Sequence, residues 1–363
     1  MENVQYVGLD VHKKDIRVAV FKGWGSEPEI ERDLVNQPAK ITKFFEKLKS
    51  QGSVQACYEA GCVGFETYRL LKSLGVECMV VAPGLVPRKP GERIRTDRRD
   101  ARKLGRNLRN GEVTSIHVPT PEDEAVRDYL RMQQDFKEEL KRSKQRLLSL
   151  LLRHGFVYRE GNPWSMRFEK WMKSLTFEEP LLEETFEECR CQVKDLKEKI
   201  GRMQARIEEI AQGERYRDDV GRLQCLKGIA TLTALSVVAE VGDFRRFMKA
   251  GEFMAFVGLV PSEDSSGSKR RQGGITKAGN SHLRRLLVEA SWHYRHDWGV
   301  SSRLAARRKN QGAFAVSYAN KAGKRLNRKF RLMLLKKKSQ VAVTAVAREL
   351  AGFVWGMMTG QTA

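Results

Sequence analysis

The chain has 363 residues, of which 31% are charged and 41% are hydrophobic, and its formal net charge is +22. This balance excludes a disordered or membrane-embedded chain, and the length allows two to three domains with a sizeable core. So large a positive excess indicates a polyanionic partner, most simply nucleic acid. No signal pattern, membrane-length apolar run or cysteine spacing typical of zinc sites or disulfides is recognised, so we expect a cytoplasmic protein with no membrane partner.

Strand and helix patterns alternate in the first third of the chain. Residues 4–9 and 16–21 are apolar runs joined by a short polar connection, which predicts a β-hairpin. Further strand patterns lie at 54–58 and 77–82, and helical patterns lie at 38–49 and 65–74. We therefore predict a mixed α/β domain over residues 1–120, with helices covering a sheet.

The middle region, residues 121–212, has a helical character. From 182 to 210, apolar residues recur at alternating steps of four and three, with charged residues between them. This spacing is typical of a coiled coil, about 40 Å long at about 1.5 Å per residue. A related pattern covers 129–150, and the two helices can pair within one chain or between chains. We predict a helical coiled-coil domain through which copies of the chain meet.

Residues 213–363 form the third predicted domain, which is mainly helical. The stretch 226–229 precedes an apolar helix and resembles one helix-hairpin-helix unit, in which a glycine lets backbone N–H groups approach a phosphate. Residues 264–338 contain 20 Lys and Arg but only three acids. Such a concentration of positive charge predicts a folded basic surface that contacts a phosphate-lined partner.

Carboxylates occupy corresponding places in the first domain. Asp10 and Glu59 end or follow predicted strands, while Asp97 and Asp100 lie three residues apart at a predicted helix start and share a face. A turn or helix-end role explains any one of them alone. Together, beside nucleic acid, they would repel it unless a cation intervened, so we predict a Mg²⁺ site. Metal ions there would support phosphoryl transfer.

A loop rich in serine, glycine and cations covers residues 262–280. Such loops hold phosphates, although many are only solvated linkers. A serine hydroxyl becomes a good nucleophile only with a base or metal beside it. The acidic cluster of the first domain is one candidate source of that activation. Lys269, Arg270 and Arg271 would then neutralise the reacting phosphate.

Stretches of the first domain resemble the acidic motifs of the DEDD transposases of bacterial insertion sequences. They cover residues 8–13, 58–61 and 96–101, of which the last, Thr-Asp-Arg-Arg-Asp-Ala, is the most specific. The resemblance implies an RNase H-like (RuvC-like) N-terminal domain and a C-terminal transposase domain. Carried over residue by residue, the catalytic and metal-binding tetrad is Asp10, Glu59, Asp97 and Asp100.

The C-terminal half is similar to the same family, through Gly-Leu-Val-Pro at 258–261 and the motifs that follow it. The resemblance implies a nucleophilic serine before a glycine, which selects Ser266 with Ser265 as the alternative. It also implies a guide RNA, donor and target DNA, and a dimer or tetramer. The residues that we expect to bind nucleic acid are Lys227, Gly228, Lys269, Arg270, Arg271, Lys277, Arg284 and Arg285.

The prediction is therefore an RNA-guided transposase that cuts and rejoins DNA through a covalent phosphoserine. A metal-dependent nuclease of the Holliday-junction type is a second hypothesis, because it needs the acids and no serine. A non-catalytic nucleic-acid-binding protein is a third, in which the acids only cap helices. An actin-like sugar kinase also fits the first hairpin, but no glycine-rich phosphate loop follows Asp10.

Overall fold

The computed structural model describes residues 4–86, 96–266, 269, 271–296 and 299–361. They form two compact units, of which the first ends at Val118 and the second begins at Pro119. Each unit contains hydrophobic core clusters of its own.

The first unit combines β-strands with α-helices. In chain order they are β1 (Gln5–Val11), β2 (Asp15–Lys22), β3 (Ile30–Val35), α1 (Pro38–Lys49), β4 (Val54–Glu59), α2 (Glu66–Ser73), β5 (Glu77–Val81) and α3 (Asp97–Arg109). One five-stranded sheet has the order β3-β2-β1-β4-β5. Its first three strands are antiparallel, whereas β1, β4 and β5 are parallel. This confirms the predicted mixed α/β sheet.

The two faces of the sheet carry different layers. Val7 and Leu9 of β1 belong to the core cluster that also contains the apolar side chains of α1. Because successive residues of a strand face opposite sides, Gly8 and Asp10 face the other layer. That layer is α3, whose Ala101 packs with Phe21 of β2.

Helix α3 approaches β1 backbone to backbone. A Cβ atom on Gly8 would overlap the carbonyl oxygen of Ala101 and the nitrogen of Gly105. A Cβ atom on Gly105 would lie 2.9 Å from the Phe21 ring and 3.0 Å from the Gly8 nitrogen. Two residues without side chains therefore allow a contact that any other pair would prevent.

An ionic contact fastens the same helix to the sheet edge. Glu31 on β3 accepts hydrogen bonds from Arg102 and from Arg98, the latter with Nε at 2.8 Å. The hydrogen bonds from Arg102 and Arg98 lower the pKa of Glu31 to about 2. Strand β3 was not predicted, because its charged residues interrupt the apolar pattern, yet it supplies this anchor.

The second unit is mainly helical. Its helices are α4 (Pro121–Arg153), α5 (Met166–Lys173), α6 (Pro180–Gln212), α7 (Arg217–Gln224), α8 (Thr231–Val241), α9 (Ala250–Phe256), α10 (Ser281–Ser291), α11 (Ser302–Arg308), α12 (Ala313–Leu334) and α13 (Ser339–Thr359). A short hairpin of β6 (Pro261–Glu263) and β7 (Gln272–Ile275) lies between α9 and α10.

The two 33-residue helices α4 and α6 pack against each other in antiparallel directions. Gln133 Nε2 donates to Gln204 Oε1 at 3.1 Å, and Arg146 donates to Gln192 Oε1 at 3.2 Å. Along α6, the predicted apolar positions are buried or half-buried. The pairing of these helices within one chain is thus observed, while a meeting of chains through them stays a prediction.

Helix α13 is the one helix in the described residues that is long and apolar enough to cross a membrane. Of the most apolar 18-residue stretch of this helix, 67% is buried inside the protein. The helix packs against α9, α10 and α12. These contacts are those of a core helix.

We expect Gly8→Ala to lower the free energy of unfolding of the first unit by about 1–3 kcal/mol, because overpacking forces α3 away from β1. Urea unfolding followed by circular dichroism measures the change. Gly84→Ala is the matched control, since a Cβ there meets no atom within 4 Å. Equal stability of the two variants would contradict the importance of the α3–β1 contact.

Candidate functional site

Sheet geometry brings two of the predicted acids to the same face. Asp10 is the last residue but one of β1, opposite Arg17 of β2, and so lies at the strand end as predicted. Glu59 is the last residue of β4, and the parallel register pairs Leu9 with Tyr58 one position earlier. Since side chains alternate along both strands, Asp10 and Glu59 face the layer occupied by α3.

The first turn of α3 supplies the other two acids. Thr96 caps the helix, its hydroxyl accepting from the Arg99 N–H at 3.4 Å. Asp97 and Asp100 follow in the first turn, where the helix dipole stabilises negative charge. The contact of α3 with β1 therefore brings residues almost ninety positions apart in sequence to one place.

Asp10, His12 and Asp97 form a compact group of possible metal ligands. Their ligand atoms lie within 4.8 Å of one another. His12 Nε2 lies 3.1 Å from Asp10 Oδ2 and 3.6 Å from Asp97 Oδ2. The Asp10 side chain is 23% exposed and that of Asp97 is 61% exposed, so the group opens to solvent on the helix side.

The electrostatics of this group are those of crowded carboxylates. Burial raises the pKa of Asp10, and the charges of Asp97 and Asp100 raise it further, against the opposing effect of His12. Burial lowers the pKa of His12, but the charge and hydrogen bond of Asp10 outweigh this and raise it overall. A divalent cation bound between these groups would relieve the repulsion among the acids.

His12 is the member of the group that sequence reasoning missed. It lies two positions after Asp10, so both side chains face the same side of the chain. That spacing was readable in the sequence, but the strand pairing ends at Val11, and the position of His12 depends on the turn that follows, where its N–H donates to the Asp15 carbonyl at 2.9 Å. Glu59 and Asp100 lie outside this three-residue group, although the charge of Asp100 acts on Asp10.

In the second unit, the predicted serine loop is a hairpin. Strands β6 and β7 are antiparallel, pairing Pro261 with Ile275. Toward its tip, Ser266 and Lys269 pair through both backbone N–H groups, at 3.2 and 3.1 Å. Gly267, which follows the predicted nucleophile, lies outside the described residues, as does Arg270.

The two neighbouring serines have different surroundings. The Ser265 hydroxyl donates to Glu263 Oε1 at 3.0 Å and accepts from the Arg271 N–H at 3.1 Å. Ser266 is exposed, and within the described part of the chain its hydroxyl makes no hydrogen bond. Ser265 therefore helps to hold the hairpin together, whereas the hydroxyl of Ser266 is presented to solvent.

A buried carboxylate holds the end of the serine hairpin. Glu240, at the end of α8, is 5% exposed and accepts from Arg131 of α4 at 2.7 Å. Its other oxygen accepts from the Asn280 side chain at 2.9 Å, while Asn280 caps α10 by accepting from the Leu283 N–H. Glu240 thus ties α4, α8 and α10 together, a role that no local sequence pattern indicated.

The other residues predicted to bind nucleic acid differ in their contacts. Lys269, Arg271 and Lys277 are exposed. Arg284 donates to the Val257 carbonyl at 3.1 Å, and Arg285 pairs with Glu289 at 2.8 Å. These last two contacts support the fold, and nucleic-acid binding by all of these residues stays a prediction.

The helix-hairpin-helix candidate has a structural reason for its glycine. Gly228 lies between α7 and α8 with φ of +86°, and a Cβ there would overlap the Ala290 carbonyl of α10. The glycine therefore allows close packing on α10, and this packing explains the glycine whether or not the segment also contacts a phosphate. Lys227 next to it is half-buried.

We expect Asp10→Asn to weaken Mn²⁺ binding by more than about tenfold, because it removes a charged oxygen ligand from the group. Electron paramagnetic resonance of free Mn²⁺ during titration measures this without any nucleic acid. Asp33→Asn is the control, since Asp33 is an exposed carboxylate of the same sheet, paired with Arg17 at 2.5 Å. Equal Mn²⁺ affinity in the two variants would exclude Asp10 as a ligand.

Two segments of the chain match models of known protein families. Residues 7–156 match the model of the DEDD transposases of the IS110 type, and residues 220–304 match the model described as transposase of the IS116/IS110/IS902 family.

Two relatives that are similar over most of their length are also transposases. A putative transposase, y4qE, of Sinorhizobium fredii is 37% identical over 97% of this chain and 88% of its own length. The transposase for insertion sequence element IS1533 of Leptospira borgpetersenii is 37% identical over 93% of this chain and 99% of its own length. The chain belongs to the IS116/IS110/IS902 family of insertion-sequence transposases, which confirms the resemblance seen in its motifs.

Proposed function

We propose that this transposase cuts and rejoins DNA through a covalent phosphoserine on Ser266, assisted by a Mg²⁺ site on an RNase H-like first domain. The observation that carries the proposal is the gathering of Asp10 and Asp97, with His12, within ligand distance of one another. Acids so far apart in sequence and so close in space are typical of a site for phosphoryl transfer.

The donor set fits a hard divalent cation. Asp10 and Asp97 offer carboxylate oxygens, which Mg²⁺ prefers, and Glu59 and Asp100 complete the proposed tetrad. When bound, the ion would supply charge neutralisation at the reacting phosphate. Strand β1 and the first turn of α3 hold Asp10 and Asp97 close to each other, because α3 is packed tightly on β1.

The serine assignment is supported by the hairpin. The Ser266 hydroxyl is exposed near the tip of a basic turn, whereas that of Ser265 is engaged with Glu263 and Arg271. In the proposed reaction, the Ser266 oxygen attacks a DNA phosphorus and the deoxyribose hydroxyl leaves. The reverse attack by a second hydroxyl releases the serine. Bond energy is conserved, so no nucleotide cofactor is needed.

Charge around the serine is suited to a phosphate that gains negative charge. Lys269 and Arg271 are exposed on the same hairpin, with Arg270 between them in sequence. We propose that these cations stabilise the phosphate under attack and that Lys227, Gly228, Lys277, Arg284 and Arg285 contact the backbone further along.

The remaining parts of the proposal come from the family resemblance. They are a structured guide RNA that pairs with donor and target DNA, and a dimer or tetramer. From the sequence pattern and composition we add that the α4–α6 helices join the copies and that the protein is cytoplasmic. We propose that the carboxylates of the first unit and the serine of the second act on the same phosphodiester in this assembly.

We expect Ser266→Ala to abolish a protein–DNA adduct that resists boiling in detergent, while Ser265→Ala retains it at a reduced level. The reason is that Ser266 is the attacking group, whereas Ser265 only braces the hairpin. The measurement uses full-length protein, guide RNA, labelled donor and target DNA, and Mg²⁺, followed by gel electrophoresis.

Other outcomes separate the competing functions. Full cleavage without any adduct in Ser266→Ala would favour a metal-dependent nuclease. An adduct that persists in Ser266→Ala and disappears in Ser265→Ala would transfer the role to Ser265. Unchanged activity of Asp10→Asn would favour a non-catalytic role for the acids.

A further inference from the structure

The C-terminal basic section contains a long run without acids. Residues 298–348 contain fourteen Lys and Arg and no Asp or Glu. Helix α12 lies in this run and has two different faces. The buried face, made of Ala315, Tyr318, Ala319, Ala322, Gly323, Leu326, Asn327 and Phe330, packs into the core of the second unit.

Cations occupy the face opposite the buried one. Lys321, Lys324 and Arg328, here called the α12 stripe, are exposed and follow each other at steps of three and four. At this spacing they lie side by side over about 10 Å of helix. Arg331, which is also exposed, comes three positions later on the same face.

The neighbouring cations of α12 differ from the α12 stripe in having a carboxylate partner. Arg325 and Lys329 lie toward α13 and pair with Glu349, which is 13% exposed. Among the described residues, no carboxylate lies within 4 Å of the side-chain nitrogens of Lys321, Lys324 or Arg328. Like charges at this helical spacing repel each other, so the α12 stripe does not stabilise the fold.

We propose that the α12 stripe is a binding site for the sugar–phosphate backbone of a nucleic-acid duplex. A duplex carries one charge per about 1.7 Å of its axis, so each long side chain can reach its own phosphate. A lipid surface fits less well, because a membrane-surface helix buries an apolar face in lipid and the apolar face of α12 is already in the core. This site is separate from the hairpin around Ser266, and it depends on the proposed function only for the kind of ligand.

The test compares two triple variants with the same loss of charge. One is Lys321→Gln, Lys324→Gln and Arg328→Gln. The matched control is Lys40→Gln, Lys43→Gln and Lys47→Gln, which changes three exposed lysines of α1 at the same spacing. Circular dichroism melting establishes that both variants are folded. Fluorescence anisotropy with labelled DNA and RNA duplexes of about 30 base pairs then gives Kd between 50 and 300 mM salt.

For the α12 variant, we expect binding at least about tenfold weaker at 150 mM salt, and a logarithmic salt slope smaller by about 0.9 per lost DNA phosphate contact. The control should keep both values near those of the wild type. Loss with DNA alone, RNA alone or both supports the site and identifies which duplex it binds. Unchanged binding to both duplexes, or an equal loss in the control, would overturn the proposal.

This test is independent of the cleavage chemistry. A wild-type protein that forms no covalent adduct, but whose duplex binding depends on the α12 stripe, would contradict the phosphoserine and still support this site. If the wild-type protein forms the adduct but the three substitutions leave duplex binding unchanged, the phosphoserine proposal is supported and the proposal of a binding site on α12 is overturned.

Discussion

The contact between Gly8 of β1 and Gly105 of α3 sets the distance between the sheet and the helix that covers it. No side chain separates the two backbones, and the Phe21 ring fills the space beside Gly105. Because α3 is held so close, its first turn reaches Asp10, and Asp97 comes within ligand distance of the same group. A looser α3 would leave the same acids in the sequence without joining them into one site.

In the second unit, the exposed Ser266 lies on a hairpin whose base is fixed by several contacts. The base of the hairpin is held by backbone hydrogen bonds, including Asn280 N–H to the Phe256 carbonyl at 2.9 Å. Glu240 adds a buried link from Asn280 to α4. A base held in this way beside an exposed Ser266 is compatible with the nucleophilic role that we propose for this serine.

Much of this architecture was predictable from sequence because it follows local periodicity. Helix α1 begins at Pro38 as predicted, and the strands around Asp10 and Glu59 follow alternating or continuous apolar runs. The motifs also predicted the family. Features that depend on long-range contacts were not predicted. Strand β3 is charged and shows no apolar pattern, and Glu240 lies in an otherwise apolar helix. The place of His12 in the candidate site is visible only from its distance to Asp97. The roles of the tetrad and of Ser266 are still predictions.

The candidate metal site depends on α3 being held against β1, and Mn²⁺ binding by Gly105→Ala tests this dependence most directly. The substitution leaves Asp10, His12, Glu59, Asp97 and Asp100 unchanged, but its methyl group would press on Phe21 and on the Gly8 backbone. We expect a weaker Mn²⁺ affinity in a variant that remains folded by circular dichroism. A folded Gly105→Ala protein that binds Mn²⁺ as tightly as the wild type would contradict this dependence.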